Sequence, residues 1–369
     1  RILYVYRLKT ILKMRRTALI IVVLAICTNA YSQTAKYSND FLSIGVGAKW
    51  MGMGSTGSAS CNDVGAAYWN PAGLLGIQNR YQIEALHASY FAGMASYNHI
   101  ALGYKPDTAS AMAFSIIRFG VDDIPNTTDL IDGEGNIDYD RLKTFSVADY
   151  AFFFSYAKAT KIPNLTVGGN VKLIYRNIGK FASAWGFGLD AAARYKLNKW
   201  QFGATVRDIT STFNLWSFNS NELEITIGDS TFNAAPSNNL EITLPRVILG
   251  TARTFQLNEN ISITPEVNFD FTFDGKRNTI VSGKPISIDP HFGAEVGYKN
   301  LLFIRLGVNN IQRNTGFSGD GYTMQPSLGV GIKFRSITID YAMTNAGSQG
   351  YSRYSNIFSI RWSFDSFKL

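Results

Sequence analysis

The chain has 369 residues, 46% hydrophobic, 14% aromatic and only 17% charged, with 33 glycines. That balance excludes a disordered chain, and the length admits one large domain or two ordinary ones. Lys and Arg number 35 against 27 acids, but Arg1, Arg7, Lys9, Lys13, Arg15 and Arg16 all precede residue 33, where there are no acids. The remainder is near neutral, so the footprint of a nucleic-acid binder is absent.

Met14 is followed by Arg15 and Arg16, an apolar run from Ala18 to Cys27, and Ala30-Tyr31-Ser32 ahead of Gln33. A short basic region, an apolar run and small residues before a cut describe a secretory signal peptide at 14–32. Residues 1–13 read as an upstream extension or as part of a longer basic leader. Ile26 is too bulky for lipoprotein cleavage ahead of Cys27, so no lipid anchor is expected. Only Cys61 remains in the mature chain, which rules out an intrachain disulfide.

Residues 33–79 come next and look unlike a strand pair. They carry Gly45, Gly47 and Trp50, then Gly52, Gly54 and Gly57, then Asp63 and the box Asn70-Pro71-Ala72-Gly73-Leu74. Gly52, Gly54 and Gly57 have the dinucleotide-fingerprint spacing, but Pro71 sits where its helix should run and the acid about twenty residues on is missing. The fingerprint is accidental; the glycines instead permit close backbone approach in a narrow space. Pro71 fixes its own φ and disfavours helix at Asn70, Gly73 allows a bend, and Asn70 can satisfy backbone groups at the break. Gly52, Gly54, Asn70, Pro71, Ala72 and Gly73 are therefore expected to be structural.

From residue 80 the apolar positions recur with period two. Ile261, Ile263, Val267, Phe269, Phe271 and Phe273 alternate with Ser262, Thr264, Glu266, Asn268, Asp270, Thr272 and Asp274. Such alternation predicts strands with one apolar and one polar face. The strand candidates are 80–91, 94–105, 109–119, 145–158, 164–176, 184–197, 199–208, 240–256, 259–273, 285–298, 300–310, 322–334, 336–345 and 354–364, an even count of fourteen. Connections alternate long (120–144, 209–239, 274–284, 311–321, 346–353) and tight (Asn198, 257–258, 299, 335), the rhythm of an outer-membrane barrel. The first hairpin, turning at Ala92-Gly93, breaks it.

Tyr195, Trp200, Phe255, Tyr298, Phe334, Trp362 and Phe364 cluster beside the tight turns, as an interfacial girdle requires. The opposite face carries Lys172, Asp190, Arg194, Arg207, Glu266, Asp270, Glu295, Arg305, Lys333, Asp340 and Arg361. These charges cannot fill a dry sandwich core unpaired, but they suit a wet or plugged lumen. The expected fold is all-β: a transmembrane antiparallel barrel over 80–364, an N-terminal hatch segment at 33–79 in its lumen, and a tail at 365–369. An even strand count puts both mature termini on the periplasmic side, with the tight turns.

The Met51-Gly52-Met53-Gly54 stretch and the box Tyr68-Trp69-Asn70-Pro71-Ala72-Gly73-Leu74, followed by a barrel, resemble the FadL-like outer-membrane superfamily. With Phe41-Leu42-Ser43-Ile44-Gly45 they look most like its PorV/PorQ branch, and the resemblance covers essentially the whole mature chain. It implies fourteen strands, a hatch in the lumen and a multi-pass place among the lipids of the cell outer membrane. For the branch it implies a cargo-handling subunit of the type IX secretion system that receives carboxy-terminal signal domains; for FadL itself, passage of hydrophobic compounds.

Candidate chemistry is sparse. His87 and His99 could face one another across the first hairpin, and His87 with Ser89 is a loose serine–histidine pair. Asp129, Asp132, Glu134, Asn136, Asp138 and Asp140 could gather calcium but lack the EF-hand spacing, and a solvated loop is the simpler reading. No catalytic site, metal or cofactor is expected. Phe213, Trp216 and Phe218 lie in the expected loop 209–239 between polar residues, as partner-binding aromatics do. The expected function is a type IX secretion subunit that binds exported cargo or assembly partners; the alternative is a FadL-like channel for hydrophobic small molecules.

Overall fold

The computed structural model describes residues 38–366 except 128–129, 131–135, 228–229, 234–235, 237, 317–318 and 345–354; the signal-peptide reading falls outside them, as do Asp129, Asp132 and Glu134 of the acidic loop. Fourteen antiparallel strands form the wall: β1 (Tyr81–Tyr90), β2 (Ala95–Tyr104), β3 (Ser110–Asn126), β4 (Lys143–Ala159), β5 (Leu165–Ile178) and β6 (Ala182–Leu197). β7 comes in two pieces (Trp200–Arg207, Thr212–Phe218), as does β8 (Leu240–Thr243, Arg246–Arg253). Then follow β9 (Ile261–Thr272), β10 (Ser287–Tyr298), β11 (Leu302–Gly316), β12 (Gly319–Phe334), β13 (Ile337–Thr344) and β14 (Ser355–Phe364). β14 pairs with β1 from Tyr81↔Phe364 to Ser89↔Asn356 and closes the ring. Closure satisfies every ladder and removes the edges that lipid would not tolerate.

Alternation places the apolar set outside. On β12, Leu328, Val330, Ile332 and Phe334 are exposed while Ser327, Gly329 and Gly331 between them are buried. Beside the short turns the aromatics form a girdle: Tyr81 stacks between Tyr104 (5.1 Å) and Phe364 (5.5 Å), and Trp362 meets Phe364 at 4.3 Å. The tight connections use left-handed residues: Lys299 and Asn300 both have φ 52° and Arg335 the same, as two-residue hairpin turns require. The first hairpin pairs over its full length, from Tyr81↔Tyr104 to Tyr90↔Ala95.

Three expectations are corrected. The segment 209–239 is not one loop. Asp208 and Ser211 turn left-handed (φ 55° and 58°), the ladder breaks, and β7 resumes at Thr212–Phe218 against β6 and β8. Phe213 therefore points out of the wall, 46% exposed, while Trp216 is on the inward phase with buried Thr212 and Asn214. The segment 311–321 is not a loop either: β11 and β12 run on past a register shift between Asn309 and Gln312 and pair as far as Gly316↔Gly319. Lastly, His87 and His99 do not face each other. The register matches His87 to Asn98 and Leu86 to His99, and one residue of offset sends the histidines to opposite faces.

Candidate functional site: the lumen and its inner segment

Residues 38–79 lie inside the ring. Four short helical turns (Asp40–Ser43, Ala48–Met51, Ala66–Trp69 and Pro71–Gly76) are joined by bends, so most of their backbone groups lack regular partners. At membrane depth such a backbone survives only if protein groups satisfy it. The wall supplies them. Ser359 Oγ accepts from Ala48 N–H (3.1 Å), Ser327 Oγ from Gly54 N–H (2.9 Å), Glu266 Oε1 from Ala59 N–H (2.9 Å) and Gln82 Oε1 from Val64 N–H (2.6 Å). Arg194 donates to Cys61 O (2.9 Å), Asn170 to Ala67 O (2.9 Å) and Arg207 to Tyr68 O (3.1 Å). These partners come from strands all round the barrel, which places the segment in the lumen.

Close approach explains the glycines on both sides. A Cβ on Gly203 would collide with Ser58 O, and one on Gly307 with Gly54 N. Gly52 lies against Gly329, whose Cα a Gly52 Cβ would meet at 2.9 Å, and Gly54 lies against Phe292 and Val308 with φ +66°. Asn70, extended at φ −160°, caps the Pro71–Gly76 turn: its Oδ1 accepts from Ala72 N–H (3.1 Å). Its Nδ2 donates to Ser58 O (2.7 Å) and to Ala193 O on β6 (3.1 Å). Pro71 and Ala72 abut Gly168 of β5, and Gly73 lies against Cys61 O. Gly52, Gly54, Asn70, Pro71, Ala72 and Gly73 thus all sit at contacts between backbone segments rather than around an open site.

The inner faces of the wall divide. Leu86, Ala88, Tyr97, Ala101, Ile117, Ala151, Phe153 and Ile174 on β1–β5 join Trp50, Val64, Tyr68, Trp69 and Leu74 in one apolar cluster. Elsewhere the facing residues are ionic. Arg361 bonds to Asp63 of the inner segment, reaches Glu84 Oε2 at 3.4 Å and Asp340 at 3.9 Å; Arg305 pairs with Asp340 and with Glu295 (2.7 Å each). Lys49 of the inner segment adds a contact to Glu295 (3.6 Å). On the other side Lys172 bridges Asp190 (2.8 Å) and Asp208, which anchors the break in β7. Burial pushes the Asp63 carboxyl up, but the Arg361 guanidinium and Lys49 outweigh it and hold the group below the ordinary carboxylate range.

The expected lumen charges Lys172, Asp190, Arg194, Glu266, Arg305 and Asp340 are indeed inward and buried. Asp63, Glu84 and His99 complete this set. Their inward phase on β1 and β2 was the available signal for the last two.

Toward the long-loop side the inner segment leaves a cavity of about 700 Å³. One wall is apolar, from Phe41, Met51, Trp69, Tyr90 and Phe119; the other is polar, from Arg246, Asn268, Asp270, Asp289 and Gln325. Its cations are tied to acids or to the inner segment: Arg246 lies 3.7 Å from Asp270 and reaches Ser43 Oγ (3.2 Å), and Arg207 lies 4.2 Å over the Tyr68 ring. Trp216 donates to Glu241 (3.0 Å), with the Arg176 guanidinium 5.1 Å from its ring centroid and Phe218 stacked at 6.1 Å. Outside the barrel, His87 Nδ1 meets Asn98 Oδ1 at 2.7 Å, with no hydrogen bond to Ser89 among the described residues. Asp138 accepts from Asp140 N–H and Arg141, and no cluster of three His, Cys, Asp or Glu side chains suited to a metal forms among the described residues.

No protein-family model matches the sequence, and no curated protein matches it. Solved structures do. The CymD monoaromatic hydrocarbon channel is 13% identical with TM-score 0.55, covering 88% of this chain and 99% of its own. The Ralstonia pickettii toluene transporter TbuX is 14% identical with TM-score 0.55, covering 87% and 98%. The Pseudomonas putida toluene transporter TodX is 13% identical with TM-score 0.56, covering 87% and 98%. At these identities the likeness concerns the fold alone: this chain shares with them a closed antiparallel barrel of the transmembrane type, here of fourteen strands.

Proposed function

We propose that the protein is a channel for hydrophobic small molecules that carry a polar end, with residues 38–79 as its hatch. The two-faced cavity carries this reading. Its volume lies in the range of ligand sites, its aromatic wall suits an apolar body, and its opposite wall offers donors and acceptors to a polar group. The structural neighbours named above are a hydrocarbon channel and two toluene transporters, which favours transport over catalysis. Below the cavity the inner segment is sealed by ion pairs and backbone contacts, so passage requires that segment to shift. The tight-turn rim, where Arg80 at the start of the wall meets Asp365 at its end, is assigned to the periplasm.

The PorV-type reading drew on loop aromatics. Phe213 instead belongs to the lipid face of β7, and Trp216 and Phe218 to the wall, which leaves residues 41–45, 51–54 and 68–74 of the inner segment as that reading's support. Copurification of carboxy-terminal signal domains would favour it.

The test is uptake of a labelled aromatic alcohol by cells producing the wild type or Ile248→Trp, which fills the cavity from β8. Uptake should fall about tenfold or more with folded barrel unchanged, a factor worth about 1.4 kcal/mol of lost binding. Unchanged uptake would remove the cavity from the pathway.

A further inference from the structure

The tight-turn rim is strongly cationic. The turns 160–164 and 198–199 lie side by side, with Lys196 N–H donating to Asn164 O at 3.1 Å. They bring Lys158, Lys161, Lys196 and Lys199 together, all exposed, and residues 157–166 and 195–201 contain no acid. None of the four lysines forms an ion pair among the described residues. The apolar side of this patch is aromatic: Tyr156, Tyr195 and Trp200 point outward, 47%, 38% and 40% exposed.

The same arrangement recurs round the ring. Arg80 lies 5.9 Å from the Tyr81 ring centroid and 5.7 Å from that of Tyr104, and Arg253 lies 5.1 Å from Trp200 and 4.6 Å from Phe255. Lys299 sits 5.4 Å from Tyr298, and Arg335 5.3 Å from Phe334. Against these cations the rim sets Asp107, Glu259 and Asp365. Two of the three are occupied: Asp107 accepts from Ala109 and Ser110, and Asp365 from Asn79 and Arg80. On the opposite rim the cations stand beside acids: Arg118 lies 3.8 Å from Asp122, Arg141 pairs with Asp138 at 3.0 Å, and Arg277 pairs with Asp274.

We propose that the tight-turn rim binds anionic phospholipid headgroups, with the four-lysine patch between β4 and β7 as its strongest site. Outward aromatics settle at the depth of the headgroups, so cations immediately on their water side stand at the depth of the phosphates. Among the described residues these lysines have no protein anion to satisfy them. An acidic protein partner would be met by one patch facing water. A band of cations over aromatics that follows the whole circumference matches a lipid annulus instead.

The experiment uses the full barrel in nanodiscs of phosphatidylcholine, alone or with about one third phosphatidylglycerol, at low and high salt. The wild type should unfold several degrees higher in the anionic discs, and salt should erase most of that gain. Lys158→Gln/Lys161→Gln/Lys196→Gln/Lys199→Gln should lose at least half of it, while Lys143→Gln/Lys180→Gln on the opposite rim should keep it. Native mass spectrometry of the wild type supplies a measurement independent of the variants' folding: retained phosphatidylglycerol should exceed its share of the disc by about threefold. Equal melting in the two discs, a full gain in the quadruple variant, or lipid retained in proportion to supply would each overturn the proposal. So would salt-sensitive retention of an acidic protein with no preference among lipids.

Discussion

The inner face of β1–β5 and that of β9–β14 confront the same segment in different ways. On the first side Phe153, Ile117, Tyr97 and Ile174 pack against Tyr68, Trp69 and Leu74 as the core of a globular domain would. On the second, Arg361, Arg305, Asp340 and Glu295 meet Asp63 and Lys49 through charges. Apolar contact is non-directional and tolerates sliding, whereas a buried ion pair holds one register and is costly to break. The inner segment is thus gripped on one side and keyed on the other. A hatch that moves would release the keyed side first.

The largest effect should come from unmaking the key. Arg361→Met leaves Asp63 and Glu84 without their shared cation while Asp340 keeps Arg305, and breaking a buried pair from one side costs about 3–5 kcal/mol. Urea unfolding in vesicles should register that loss, together with a rise in single-channel conductance. A silent Arg361→Met would show that the ionic side is solvated filler.

On the gripping side Phe153→Ala removes a side chain that is 3% exposed and stacks edge-on to Tyr68 at 6.4 Å. A loss of about 3 kcal/mol is expected from the transfer and cavity costs. Conductance should change less than in Arg361→Met, because the register of the segment survives. Equal conductance in the two variants would erase the distinction between the sides.

Asn70→Ala removes three hydrogen bonds at once, to Ser58 O, Ala193 O and Ala72 N–H. About 1–3 kcal/mol should be lost, with stability and conductance changing together. Loss of one specific chemical activity with both of those unchanged would contradict the structural role.

The smallest effect concerns pH. The folded-state value of Asp63 lies below its unfolded one, so the stability it contributes is fully present above the ordinary carboxylate range and is lost as pH falls through the folded value. Wild-type stability should therefore decline below about pH 4, and Asp63→Asn should flatten that limb while lowering the neutral plateau. An acid limb identical in the two proteins would remove Asp63 from the key.

Much of the wall was legible because a strand in lipid leaves little choice. Period two in β9 and β12 fixes which residues face the bilayer, and a wrong phase would bury Glu266 in hydrocarbon. The failures come where that constraint lapses. Past Asn309 the β11 sequence is mostly polar (Asn310, Gln312, Arg313, Asn314) and a register shift interrupts its period, so the sequence there is indistinguishable from a loop. In β7, Asp208 and Ser211 carry the sequence signature of a turn, and only the ladders to β6 and β8 show that the chain resumes its strand.

The sequence by itself determined the closed antiparallel wall, its apolar outside, its aromatic girdle and the charges of its inside, because each follows from local alternation against a fixed solvent. That Asp63 meets Arg361 across most of the length of the chain, that Gly203 and Gly307 make room for Ser58 and Gly54, and that the inner segment packs mainly on apolar side chains at one side and on charges at the other are set by tertiary contact. Those are contacts between an irregular segment and many strands. No periodicity encodes them, since the partners are brought together by closure of the ring and not by spacing along the chain.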